Sequence, residues 1–245
     1  MKRYCTWIAV FLIAPLTMMT GCSHTPQEKY EEAAQNPEEA PRLYRESCTE
    51  GYARSCYKMG VMRYEGHGME RSIDKALGYF DQACEGGHAE SCGILGAIYL
   101  RGDQVRSDAP RALDYFKESC ENGFSPSCVT AGLMNYEGTG IPQNFTRAVE
   151  WFERACDADD GTGCGLAGVM YSEARGVDRD LARALGFYEK GCDLGRAEAC
   201  HAAGILYANG GGVTRSHDKA RQWFQRGCDE GLQESCEMLN TGGAY

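Results

Sequence analysis

Apolar and polar positions in this chain repeat on two scales. On the shorter one, Ala76, Ala112, Ala148, Ala184 and Ala220 are followed three and four residues later by aromatic pairs. These pairs are Tyr79-Phe80, Tyr115-Phe116, Trp151-Phe152, Phe187-Tyr188 and Trp223-Phe224. A small residue and a cysteine come at offsets seven and eight, as in Ala83-Cys84 and Ala155-Cys156. Offsets of 0, 3, 4, 7 and 8 form one stripe on a helix of about 3.6 residues per turn. Ser72, Asp108, Asn144, Asp180 and Ser216 stand four residues before the alanine and suit N-caps. Gly51, Gly87, Gly123, Gly195 and Gly231 lie three past the cysteine, where a left-handed residue ends a helix; Asp159 occupies that place once.

A second helix is predicted in each unit. It carries another cysteine, and four residues later Gly60, Gly96, Gly132, Gly168 or Gly204 on the same face. Glycine costs nearly 1 kcal/mol against alanine in a helix, so five recurrences predict close helix approach, with the aromatic pairs opposite. Met62, Ile98, Met134, Met170 and Leu206 add apolar contacts, and Gly-rich turns such as Gly66-His67-Gly68 follow. No segment alternates with the period of a strand. The prediction is an all-α stack of antiparallel helix pairs.

The longer scale is set by cysteine. Cys48, Cys84, Cys120, Cys156, Cys192 and Cys228 are each 36 residues apart, and Cys56, Cys92, Cys128, Cys164, Cys200 and Cys236 each follow eight positions later. A constant period means a solenoid of similar units, each burying its apolar face on its neighbours. Two pairings fit antiparallel helices. Either each pair eight apart closes its own turn, or Cys56 reaches Cys84 and so on down the array. The second strands Cys48 and Cys236 at opposite ends, so the first is preferred, one disulfide per repeat. Each closed loop then contributes roughly 2.5 kcal/mol by loop-closure entropy. Zinc is not expected: His24, His67, His88, His201 and His217 keep no register with the cysteines. No metal and no cofactor site is expected.

Composition narrows the function. The chain has 245 residues, 25 Lys+Arg against 35 Asp+Glu and a net charge of −10, which argues against nucleic acid as a partner. Fourteen cysteines point to an oxidising compartment. Residues 1–21 read as a signal peptide: Lys2 and Arg3 precede an apolar run from Trp7 to Met19, short for a membrane span. Met19-Thr20-Gly21-Cys22 resembles the lipobox of bacterial lipoproteins, which makes Cys22 the lipidation site and Ser23 a signal for the outer membrane. Residues 22–36 are polar and acidic and predict a flexible tether. Residues 37–245 form the solenoid: a leading helix over 37–49, five full repeats over 48–227, and a partial repeat or cap over 228–245.

Units such as CEGGHAESCGILGAIYLRG and KARQWFQRG resemble the Sel-one-like repeat (SLR) family, a relative of the tetratricopeptide (TPR) repeats, and within it the cysteine-rich Hcp-type branch. That resemblance implies a right-handed α-solenoid, export, C-x7-C disulfides, and, for some members, penicillin binding with slow β-lactam hydrolysis. Three S-x-x-K matches exist, at Ser55-Lys58, Ser72-Lys75 and Ser216-Lys219. Ser72 and Ser216 coincide with the N-cap register, the partner motifs S-D-N and K-T-G are missing, and no catalytic residue is assigned.

Binding is expected where the units differ. Near the end of the cysteine-bearing helix stand Tyr64-Glu65, Leu100-Arg101, Tyr136-Glu137, Ser172-Glu173 and Ala208-Asn209. Tyr64, Glu65, Arg101, Tyr136, Glu137, Glu173 and Asn209 are therefore the candidate groove residues. Tyr99, Tyr171 and Tyr207 recur one position out of step and read as packing. The expected function is a lipid-anchored scaffold in the bacterial envelope, facing the periplasm, that binds a protein, a peptide or a peptidoglycan fragment. The resemblance adds a β-lactam as the alternative ligand.

Overall fold

The computed structural model describes residues 24–102 and 104–240, and among these it contains thirteen α-helices and no strand. The expected signal peptide and Cys22 lie outside the described residues, as do residues 241–245 of the expected cap. Helices α1 (Pro26–Gln35) and α2 (Ala40–Thr49) lead the array. Five antiparallel pairs follow: α3 (Ala53–Glu65) with α4 (Ile73–Glu85), α5 (Ala89–Arg101) with α6 (Ala109–Glu121), and α7 (Ser125–Glu137) with α8 (Phe145–Asp157). The last two pairs are α9 (Gly161–Glu173) with α10 (Leu181–Asp193) and α11 (Ala197–Asn209) with α12 (His217–Asp229), and α13 (Gln233–Asn240) closes the stack. Odd-numbered helices form one row and even-numbered helices the other. Successive members of the odd row approach each other directly, α7 to α9 and α9 to α11, and this row is termed the inner row.

The predicted stripe is the core of each pair. Ala76, Ala112, Ala148, Ala184 and Ala220 are all fully buried, with Phe80, Phe116, Phe152, Tyr188 and Phe224 beside them. Each of these rings lies flat against an inner-row glycine. A Cβ on Gly60 would stand 2.6 Å from the Phe80 ring, on Gly132 2.4 Å from Phe152, and on Gly168 2.5 Å from Tyr188. The glycines are the cost of bringing backbone and ring together.

Four of the five predicted caps accept a backbone N–H at the third helical residue: Asp108, Asn144, Asp180 and Ser216. Ser72 occupies the same place without a side-chain cap. The helix-ending glycines have positive φ, from 81° at Gly87 to 93° at Gly123. The fourth repeat departs twice, with Asp159 and Ala174 both held at φ 57°. A non-glycine residue there costs about 1 kcal/mol or more.

All six disulfides join cysteines eight apart, from Cys48–Cys56 to Cys228–Cys236. Each ties the end of an outer helix to the start of the next inner helix, so the staples cross repeat boundaries. A pair of small residues beside each staple allows the approach. Ser55 Oγ donates to Ser47 Oγ at 2.7 Å and Ser127 to Ser119 at 2.7 Å, whereas Ala155 faces Gly163 and Gly227 faces Ser235.

Residues 24–36 are not part of the tether expected over 22–36, for α1 fills Pro26–Gln35. Thr25 closes a capping box with Glu28 at its start. Ala33 is buried, and Tyr30 packs against Tyr44 and Tyr52 with ring centroids 5.5 and 5.4 Å away. Ser47 Oγ donates to Pro26 O, the bond that Ser119 makes to Ala89 O in a full repeat. The pair α1–α2 is thus a leading repeat with a shorter connection, stapled to α3 through Cys48 of α2 but with no cysteine in α1.

Candidate interaction surface

The expected groove residues all stand in the last turn of inner-row helices, and their neighbours divide them into groups. Between α3 and α5 runs a cleft of about 380 Å³. Tyr57, Val61 and Tyr64 form one wall, Ile94, Ala97 and Ile98 the other, and the Phe80 ring lines it. Glu65 and Arg101 stand at its rim, so this cleft gathers three of the seven expected residues. Tyr57, which the sequence reading passed over, stacks on His88 at 4.6 Å and donates to Glu90 at 3.2 Å. Burial pushes the His88 imidazole below its usual range, which favours its neutral form against the Tyr57 ring.

The equivalent cleft between α9 and α11 is smaller, about 150 Å³, lined by Leu166, Val169, Ala202 and Tyr188. Glu173 and Asn209 are not part of it. Glu173 instead pairs with Arg175 at 2.7 Å, and the Arg175 guanidinium lies over the Tyr136 ring at 5.4 Å while donating to its hydroxyl. Arg175 therefore joins Tyr136 of one repeat to Glu173 of the next. Its only trace in the sequence is the preceding Ala174, where other units have glycine. Glu137 is exposed and accepts from Thr139 at 3.0 Å. Asn209 is exposed at the end of α11.

Tyr99, Tyr171 and Tyr207 serve packing between repeats. Tyr171 donates to Glu153 at 2.7 Å under the Arg183 guanidinium, 4.3 Å from its ring, and Arg183 itself reaches Glu153 at 2.7 Å. Burial, then the Glu153 carboxylate, pushes the Tyr171 phenol up to about 12. Tyr207 repeats the arrangement with Glu189 at 2.8 Å and the Lys219 ammonium over its ring. Tyr99 stacks on Tyr115 beneath Arg111. A larger hollow of about 680 Å³ beside Arg106 and Arg111 lies among the turns at the edge of the stack, and Arg111 is already engaged there by Tyr99 and Tyr115.

Two of the three S-x-x-K serines are held in structural roles, while Ser72 stands at an N-cap position without a side-chain cap. Ser55 is fully buried against Ser47, and Ser216 accepts the Lys219 backbone N–H at 3.3 Å. Lys58 and Lys219 direct their ammonium groups over tyrosine rings, at 5.7 and 5.1 Å. Glu118 lies near the Cys84 and Cys92 sulfurs, but these are bonded to each other and offer no thiolate.

The Sel1 repeat family matches residues 53–88, 89–124, 127–160, 164–195 and 197–232, each beginning with an inner helix or within one turn of its start. The chain is a Sel1 repeat protein. Its helices superpose on a protective antigen of uropathogenic Escherichia coli that displays an SLR fold, with TM-score 0.72 and 25% identity over 84% of this chain. This chain spans 45% of that antigen, under half its length. A Sel1 repeat protein from Oxalobacter formigenes matches with TM-score 0.73 and 22% identity, covering 87% of both chains. No curated protein matches by sequence. A staple at every junction between adjacent Sel1 units makes this a cysteine-rich member of the family.

Proposed function

We propose that this Sel1 repeat protein is a rigid interaction scaffold of the bacterial envelope, which holds an extended segment of a partner protein along its inner helix row. The observation that carries the reading is the α3–α5 cleft, where an apolar slot of about 380 Å³ has a carboxylate and a guanidinium at its rim. A slot of that size accepts one or two apolar side chains, and the charged rim sets the direction of the segment between them. Stiffness supports the role: a surface already ordered by six staples loses little entropy on binding. Disulfides at this density persist outside the reducing cytoplasm, consistent with the signal-like residues 1–21 and a lipid on Cys22.

The test is photo-crosslinking from a probe at Ala97 in intact envelopes, comparing the natural cleft with Val61→Asp and Tyr64→Ala. A discrete crosslinked protein that disappears in both variants is the expected result. An identical set of products from all three would overturn the assignment of this surface. Peptidoglycan fragments are the competing ligand of the same groove, and protein-free crosslinked glycan would identify them.

A further inference from the structure

We infer that the N-terminal helix pair is a rigid mount that holds the solenoid against the lipid headgroup layer, with almost no free chain between anchor and fold. This inference rests on the lipid anchor at Cys22 proposed above. A flexible segment over 22–36 would reach about 50 Å from the membrane. The structure removes most of that reach. Helix α1 begins at Pro26, and its first turn is fixed by the Thr25–Glu28 capping box and by Ser47 Oγ on Pro26 O at 2.6 Å. Ala33 is buried farther along the helix, and Lys29 pairs with Glu50 across the turn between α2 and α3. Four residue steps separate Cys22 from Pro26, a span of at most about 14 Å.

The surface meeting the membrane is then the edge formed by the start of α1 and the end of α2. At this edge, residues 26–29 and 46–50 carry three carboxylates against Lys29 alone, so it has no basic patch to draw it onto anionic lipid. Covalent reach alone sets the spacing, and salt is expected to leave the wild-type spacing within that limit.

The protein beginning at Cys22 has one cysteine outside the six disulfides, so a maleimide lipid can be coupled there whatever the cell attaches. Neutron reflectometry on a supported bilayer then measures the water layer between headgroups and protein. The expected layer is no thicker than about 14 Å at both low and high salt. A flexible Gly/Ser insert of about 30 residues between Ser23 and His24 is expected to widen it to about 30 Å. Ala33→Asp, which undocks α1 while leaving the stapled repeats intact, is expected to widen it as well. A thick layer in the natural sequence, or one that the insert leaves unchanged, would overturn the inference. Mass analysis of Cys22 from bacterial envelopes is the separate check: absence of acyl chains there rejects the anchor itself, whatever spacing reflectometry finds.

Discussion

Two glycines in one helix test the packing argument by sign. Gly165 and Gly168 both lie inside α9. Alanine is favoured over glycine in a helix by about 0.8–1 kcal/mol, and propensity alone predicts that either substitution stabilises. A Cβ on Gly165 meets nothing within 4 Å, so Gly165→Ala is expected to realise that gain. A Cβ on Gly168 would stand 2.5, 2.6 and 2.9 Å from three Tyr188 ring carbons. Carbon atoms in contact sit about 3.5–4.0 Å apart, so ring or helix must shift by about 1 Å. The ring is buried and its hydroxyl lies 3.2 Å from Ser172 Oγ, which leaves it little room. Overpacking of this kind costs about 1–3 kcal/mol, leaving Gly168→Ala a net loss of up to about 2 kcal/mol. Urea unfolding with disulfides intact, followed by circular dichroism, should place the two midpoints on opposite sides of the parent protein. Adding Tyr188→Leu should recover part of the Gly168→Ala loss, because the two sites share one contact. If both alanines stabilise equally, the glycines are not there to admit the rings, and the account of the core fails.

Other outcomes follow from the same geometry. Ala174→Gly should stabilise the fourth repeat by about 0.5–1 kcal/mol by relieving its left-handed backbone, read as a raised melting temperature. Replacing Cys120 and Cys128 together with alanine should cost about 2.5 kcal/mol in urea unfolding, and no loss would refute the loop-closure estimate. Tyr171 stays neutral in the fold up to about pH 12, while in the unfolded chain it ionises near 10. Its stability contribution is therefore complete below pH 10 and is lost as pH rises through that window, a loss that Tyr171→Phe should reduce in alkaline denaturation. Burial lowers the His201 imidazole from 6.5, so stability present above that value should fall as pH drops through it, and His201→Gln should flatten that limb of the profile. Purified protein mixed with a chromogenic cephalosporin should show no turnover, since Ser55 and Ser216 are held in packing and capping roles and Ser72 stands in the N-cap register; turnover that survives substitution of all three would place chemistry elsewhere.

The sequence by itself determined the repeat, the helix pairs and the staples. In a solenoid the same local contact recurs at every 36th residue, so one stripe of alanine, aromatic and cysteine specifies each interface in turn. It could not place α1, because the link from α1 to α2 is shorter than the others. The Ser47–Pro26 bond spans 21 residues where the matching Ser119–Ala89 bond spans 30, and α1 carries neither the cysteine nor the glycine that mark α3, α5, α7, α9 and α11. The tyrosines show the same division at finer scale. A shift of one residue turns a side chain by about 100° around its helix. That rotation sends Tyr171 and Tyr207 to carboxylates of the preceding outer helix, while Tyr64 enters the cleft and Tyr136 lies under Arg175. Which of them lines an open cleft and which joins two repeats depends on contacts between neighbouring units, and only the tertiary structure decided that.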